Sequence, residues 1–184
     1  MKITKVEAWR VTMRLAEPYA IAYETVHETT NVFLRVETNQ GINGYGCAAP
    51  DQQITGETAD SVLRAIEDAV KPAISNSDPL RPAMLLERLK PLLNGQSSVL
   101  AALDMALFDI LGKASNLPLW RLLGGFRDRM KTSVTIGILP PKNTVERAQD
   151  WVRRGFRCLK IKGGINVESD IERVLKVRES LSLI

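Results

Sequence analysis

The sequence predicts an α+β domain followed by the first βα units of a second, parallel domain. Up to residue 128, strand-type runs come first and helix-type runs follow, which is typical of an α+β arrangement. From residue 129 the order becomes strand, helix, strand, helix, which is typical of a parallel sheet or a (β/α) barrel. We therefore expect two domains, residues 1–128 and 129–184.

Three strand-type runs open the chain. Apolar residues alternate with polar ones over residues 2–14 and again over residues 30–37. Asn39-Gln40-Gly41 predicts a tight turn into a third strand over residues 42–47. Residues 15–27 show no period, so we expect a loop there. The first domain should thus contain an antiparallel three-stranded sheet.

Helical periodicity follows the strands. The apolar spacing predicts helices over residues 58–74 and 82–93, and a third that runs to Lys113. Candidate N-caps are Thr55 or Glu57 for the first helix and Ser97 or Ser98 for the third. Residues 48–57 are irregular and predict a second loop.

The second domain should contain two βα units. Strands are expected over residues 131–138 and 157–162, and amphipathic helices over residues 143–154 and 167–181. Parallel strands need neighbours at both edges and cover on both faces, which two units cannot supply. We therefore expect this domain to be incomplete.

Composition excludes several classes of function. The chain is 45% hydrophobic and 25% charged, as expected of a globular protein. It has no apolar run of membrane-spanning length and no signal-peptide segment at its start, so we expect a cytoplasmic protein without a membrane partner. Two isolated cysteines and one histidine predict neither a zinc site nor a disulfide framework.

The charge is unevenly distributed along the chain. Residues 1–128 carry 13 basic and 15 acidic side chains, whereas residues 129–184 carry 12 and 6. The basic residues do not interleave with aromatic ones, so we do not expect a nucleic-acid partner.

A pair of lysines marks the end of the second predicted strand of residues 129–184. Lys160 and Lys162 precede two glycines and, two residues apart on a strand, should share one face. Each ammonium group makes protonation of the other less favourable, so one of them can act as a base. Alternatively, they are two solvated lysines on an edge strand.

The stretch AALDMALFDILGKASNLPLWRLLGG (residues 101–125), together with LKIK at the end of a barrel strand, resembles the muconate-lactonizing subgroup of the enolase superfamily. The resemblance covers the whole chain but about half of a family member. It implies an N-terminal capping domain followed by the start of a (β/α) TIM-type barrel. Within the subgroup, TVHETTNV, QQITGE and TSVTIGI are most similar to dipeptide epimerases.

This resemblance implies a chemistry and a set of site residues. Members abstract the proton α to a carboxylate and stabilise the enolate with Mg²⁺ bound by three carboxylates. It implies Lys162 as the acid/base and Lys160 as its neighbour. Glu24, Ile54 and Thr135 would contact the substrate, and a glutamate at position 24 would favour a positively charged dipeptide. The metal ligands and a second base are expected beyond Ile184.

Each substrate contact also has a simpler interpretation. Glu24 can be a solvated loop carboxylate, Ile54 can pack its loop down, and Thr135 can be an ordinary strand threonine.

The expected activity is therefore isomerisation of a small carboxylate, most closely dipeptide epimerisation, by a homo-oligomer. Cycloisomerase or o-succinylbenzoate synthase activity is the alternative within the superfamily. A truncated, non-catalytic interaction module is the alternative of another class.

Overall fold

The computed structural model describes residues 1–181, which form two compact units. The first unit comprises Met1–Met13 and Thr30–Phe126. The second comprises Arg14–Thr29 and Arg127–Ile184, described as far as Leu181. The domain boundary at residue 128 stays a prediction, and the second unit additionally takes in a segment from near the N-terminus.

Three strands form the first sheet, in the order β1 (Ile3–Ala20), β2 (Thr25–Thr38) and β3 (Asn43–Ala48). β2 and β3 are antiparallel, in a register that pairs Val32 with Ala48 and Glu37 with Asn43. The turn between them places Gly41 at a φ of 75°, a conformation in which glycine is favoured. The predicted three-stranded antiparallel sheet is confirmed.

The prediction of a loop over residues 15–27 is wrong for most of that segment. β1 continues to Ala20 and β2 already begins at Thr25. Most side chains of residues 14–19 and 25–29 are exposed on both sides of the strand. Because neither face is buried, the sequence there has no hydrophobic alternation to indicate a strand.

Two glycines allow β3 to lie directly on the longest helix, α4 (Ser97–Ala114). A Cβ atom at Gly44 would lie 2.1 Å from the carbonyl oxygen of Ala106, and one at Gly46 would lie 1.8 Å from that of Ala102. Ala102 and Ala106 are four residues apart and share one helix face. Small residues on both elements thus allow the short distance between β3 and α4 in the main core.

The first predicted helix is continuous but changes its hydrogen-bond pattern. It consists of α1 (Ala59–Ala65), a π-helical turn (Ile66–Val70) and α2 (Lys71–Ile74). The N–H of Lys71 donates to the carbonyl of Ile66, five residues earlier. Pro72 follows at once, and its ring and missing N–H disfavour the ordinary α-helical pattern. The remaining short helices of this unit are α3 (Pro82–Leu89) and α5 (Leu119–Leu122).

The helix caps differ from those predicted. Thr58 caps α1, accepting from the N–H of Ser61 at 3.1 Å, while the Ser61 hydroxyl accepts from the N–H of Thr58 at 3.0 Å. α4 begins after Gln96, whose side chain makes no cap. Glu57 instead accepts from the Ser98 N–H at 2.9 Å and from the Ser98 hydroxyl at 2.7 Å. The carboxylate that caps α4 therefore comes from a residue 41 positions earlier.

The second unit contains β4 (Val134–Ile136), α6 (Pro141–Arg153), β5 (Leu159–Ile161) and α7 (Val167–Leu181). β4 and β5 are parallel, as predicted, although both strands are shorter than expected. Ile136, Ala148 and Val177 form their buried core. The predicted fold class, an α+β capping domain followed by the first βα units of a barrel, is confirmed. No helix among the described residues is long and apolar enough to cross a membrane.

Candidate active site

Three of the predicted site residues lie together, one on β4, one on β5 and one directly after the end of β5. Thr135 is directly opposite Lys160 in the parallel pair. The N–H of Lys162 donates to the carbonyl of Ile136 at 3.0 Å, which continues the ladder past the end of β5. Thr135, Lys160 and Lys162 therefore leave the sheet on the same face. Thr135 and Lys160 are exposed, and Lys162 is half-buried.

The apolar residues of the two strands decide which face this is. Ile136 is 1% exposed and packs in the core of the second unit, where Leu159 and Ile161 also lie. Since side chains alternate along a strand, burying these three residues against the helices turns the threonine and both lysines the other way. The face that carries the site is thus determined by hydrophobic burial on the opposite face.

These polar side chains line a cavity of about 610 Å³. The β1–β2 hairpin contributes Thr25 and the stretch Glu17 to Ala20, and α6 contributes Arg147 and Trp151. The volume lies within the range of small-molecule sites. An apolar wall, a threonine and two lysines can hold an anionic ligand of modest size.

The end of the hairpin is held against β4 by close backbone contact. The N–H of Ile138 donates to the carbonyl of Ala20 at 2.9 Å. A Cβ at Gly137 would lie 3.1 Å from Cβ of Tyr19 and 3.2 Å from the nitrogen of Ala20. A glycine at this position therefore lets the hairpin approach the strand that carries Thr135.

An ion pair adds to the same attachment. Arg147 on α6 donates to the carboxylate of Glu17 on β1. Sequence reasoning missed both residues and also Tyr19 and Trp151, because partners 130 residues apart leave no local pattern. Gly137 was an available signal of close backbone approach, although it did not identify the partner.

Glu24 lies in the turn of the hairpin. Its carbonyl accepts from the N–H of Ile21 at 2.9 Å, and its side chain is exposed. The lining of the cavity includes the adjacent Thr25 but not Glu24. Its contact with substrate stays a prediction.

Ile54 belongs to the first unit and lies in an ordered loop. The Asp51 carboxylate accepts from the N–H groups of Gln53 at 2.8 Å and Ile54 at 3.0 Å, and the Asp51 carbonyl accepts from the N–H of Thr55 at 2.8 Å. The side chain of Ile54 is 69% exposed, so it does not pack the loop down. Its role towards substrate also stays a prediction.

The described residues do not supply a metal site. Residues 1–181 include no group of three or more His, Cys, Asp or Glu side chains that could hold a metal ion. A protonated lysine has no lone pair with which to bind a cation. The Mg²⁺ ligands are expected beyond Ile184, and this stays a prediction.

Comparison with known proteins agrees with this architecture. Residues 3–124 match the family model for the mandelate racemase / muconate lactonizing enzyme N-terminal domain. The L-Lys-D/L-Arg epimerase of Desulforapulum autotrophicum is 42% identical over 180 residues, which are 98% of this chain and 51% of that protein. The chain thus spans about half the length of the curated relatives it matches.

Solved structures give the same result. The L-Ala-D/L-Glu epimerase from Bacillus subtilis, in a substrate-liganded complex, matches with a TM-score of 0.94 and 34% identity over 98% of this chain and 51% of that chain. The dipeptide epimerase from Methylococcus capsulatus, complexed with Mg and the dipeptide L-Arg-D-Lys, matches with a TM-score of 0.93 and 34% identity over 99% of this chain and 51% of that chain. The chain belongs to the mandelate racemase / muconate lactonizing enzyme family of the enolase superfamily, and within it most resembles the dipeptide epimerases.

Proposed function

We propose that this chain is the N-terminal part of an enzyme that epimerises a dipeptide by removing and returning the proton α to its carboxylate. The observation that carries the proposal is the placement of Thr135, Lys160 and Lys162 on one face of the β4–β5 pair, inside one cavity. Epimerases among the relatives support the reaction class.

In this proposal the two lysines have different roles. Lys162 is half-buried and takes the proton from the α-carbon on one face of the substrate. Lys160, about 7 Å away along the strand, places positive charge where negative charge develops. A second base on the opposite face would then return the proton with inversion, and we assign it to residues outside this sequence.

The substrate that we propose is a dipeptide with a positively charged side chain. Two relatives are L-Lys-D/L-Arg epimerases, from Desulforapulum autotrophicum and Methylococcus capsulatus. Glu24 supplies a carboxylate in the hairpin next to the cavity-lining Thr25 and would pair with such a side chain. Thr135 would donate a hydrogen bond to the dipeptide, and the exposed Ile54 would cover its apolar part.

A magnesium ion is part of the proposal, with all of its ligands outside the described residues. Structures of related dipeptide epimerases are complexed with Mg. When bound, the ion would stabilise the negative charge on the substrate carboxylate as the proton leaves. We further propose a homo-oligomeric, cytoplasmic enzyme, and the two free cysteines fit a reducing compartment.

Deuterium exchange tests the proposal directly. The full-length gene product should incorporate deuterium at the α-carbon of L-Lys-L-Arg in D₂O, as followed by NMR. Because the second base can still exchange the proton on its own face, Lys162→Ala should abolish epimerisation of L-Lys-L-Arg, whereas Lys131→Ala, which removes an exposed lysine, should leave epimerisation unchanged. Epimerisation that persists at the wild-type rate in Lys162→Ala would refute the assigned base.

Two outcomes would favour the alternatives. Turnover of chloromuconate or an o-succinylbenzoate precursor, but of no dipeptide, would indicate the other activities of the superfamily. A native gene product of 20.4 kDa, the mass of this chain, that has no exchange activity would favour a non-catalytic interaction module.

A further inference from the structure

Asp170, in the first turn of α7, contacts the loop that directly follows Lys162. The N–H of Gly164 donates to Oδ2 of Asp170 at 2.8 Å. A Cβ atom at Gly163 would lie 2.8 Å from Cγ of the same carboxylate. The two glycines after the lysine pair therefore allow the backbone to bend closely around this acidic side chain.

Arg173, one turn further along α7, connects Asp170 to the other strand. It is 4% exposed and donates to Asp170 Oδ1. It also donates to the Ser169 hydroxyl at 3.0 Å and towards the carbonyl of Leu139 at 3.4 Å. Leu139 lies three residues after the end of β4. The pair thus contacts the segments that follow both strands of the site.

The backbone ladder between the two strands ends at Lys162. β4 and β5 are three residues long, and Lys162 lies just past the end of β5. Its N–H bonds to Ile136, and the next backbone hydrogen bond along the chain is the one from Gly164 to Asp170. The Asp170 carboxylate is therefore the anchor on the C-terminal side of the lysine.

A purely structural role explains this pair poorly. Burying an arginine carries a desolvation cost that apolar side chains of similar size avoid, and Arg173 Nε is buried with no hydrogen-bond partner among the described residues. The donors of this arginine contact Leu139, which follows β4, Asp170, which holds the loop after β5, and the neighbouring Ser169.

We propose that Asp170 and Arg173 are positioning residues that hold the loop after Lys162 and so aim its side-chain amino group into the cavity. This inference rests on the proposed function for its catalytic consequence. The proposed anchoring does not involve the metal ion. Its effect on the loop after Lys162 can be measured without an activity assay.

The test combines amide hydrogen exchange with steady-state kinetics on the full-length protein. Asp170→Ala should speed amide exchange of a peptide covering residues 162–166 by about tenfold, because the anchoring bond is lost. It should also lower kcat by about 10- to 100-fold with KM little changed, because a misplaced base loses rate. Arg173→Lys keeps a positive charge next to Asp170. It should therefore lower kcat less than Asp170→Ala does.

Two control variants lie on the same helix. Glu172→Gln breaks the exposed Glu172–Lys176 pair and should alter neither measurement. Val177→Ala creates a cavity in the core, so it should lower Tm while leaving kcat and the loop peptide unchanged.

The outcomes separate the two claims. A loop peptide in Asp170→Ala that exchanges like the wild type would overturn the inference. So would a loss of kcat in Val177→Ala equal to that in Asp170→Ala, because the effect would then follow stability alone. If the wild type epimerises no substrate, the proposed function fails, and the amide exchange of the loop alone decides whether Asp170 anchors it.

Discussion

Thr135 and Lys160 are opposite one another in the parallel β4–β5 pair, so a neutral hydroxyl and an ammonium group stand side by side on the cavity wall. Because both side chains are exposed, neither contributes to the core. Changes here should therefore alter binding more than stability.

We expect Thr135→Val to raise KM about fivefold while Tm stays within about 1 °C, because one hydrogen bond to substrate is worth about 1 kcal/mol. Thr135→Ser, which keeps the hydroxyl, should retain the wild-type KM. Thr132→Val, at an exposed threonine before β4, is the control. Steady-state kinetics checks this, and an unchanged KM in Thr135→Val would remove the threonine from the substrate site.

Gly46→Ala should destabilise the first unit by about 3 kcal/mol, because the added methyl group would overlap backbone atoms that cannot move alone. Its Cβ would lie 1.8 Å from the carbonyl oxygen of Ala102. Cys47→Ala, at the adjacent half-buried position, should cost less than about 1 kcal/mol. Urea unfolding followed by circular dichroism measures both. Equal losses in the two variants would mean that β3 and α4 are less tightly packed than the structure shows.

Glu57→Ala should lower the free energy of unfolding by about 2–4 kcal/mol, because it leaves the buried N–H and hydroxyl of Ser98 without an acceptor. Glu57 is 1% exposed and receives its hydrogen bonds from the first turn of α4. Glu67→Gln breaks an exposed ion pair with Lys71 and should change stability by less than about 0.5 kcal/mol. A loss in Glu57→Ala as small as in this control would show that water replaces the cap.

Glu7 should make the protein sensitive to acid. Hydrogen bonds from Lys5 and then from Arg35 lower the pKa of its carboxyl below the ordinary value of 4.5. Below 4.5 the unfolded chain binds this proton more readily than the folded one, so the stability that Glu7 contributes is complete above 4.5 and is lost as the pH falls through the lower, folded pKa.

Glu7→Gln should therefore flatten the decline of stability below pH 4.5, with no change in slope near neutrality. Urea unfolding between about pH 3 and 7 measures this, and 1 M NaCl should shrink the difference because salt screens the partly exposed carboxylate. Glu67→Gln serves again as the control. If stability declines equally steeply below pH 4.5 in Glu7→Gln and in the wild type, Glu7 is not the source of the acid sensitivity.

Much of the architecture could be predicted from the local pattern of apolar and polar residues. A strand was confirmed at the predicted place, with Lys160 on it and Lys162 just past its end, and the parallel order of the second unit was confirmed as well. α7 occupies the predicted residues, Val167–Leu181. These features depend on alternation and helical spacing, which one buried face imposes on neighbouring residues.

Several features that the sequence did not indicate join distant residues. Glu57 caps α4 from 41 positions away, and Arg147 pairs with Glu17 from 130 positions away. The sequence does not indicate the strand at Glu17, because the side chains there have no buried face. A hydrogen bond or ion pair between such residues requires only a donor and an acceptor, or two opposite charges. Because many side chains of the chain meet this requirement, the sequence does not show which of them pair.

The sequence by itself determined the order of the elements, the shared face of Lys160 and Lys162, and the family resemblance, because each is encoded within a short stretch. Only the tertiary structure decided that Thr135 stands beside Lys160, that the hairpin lies against Gly137, and that Asp170 anchors the loop after Lys162. The physical reason is that strand register and close backbone contact are set by the packing of whole elements, which no local pattern of residues specifies.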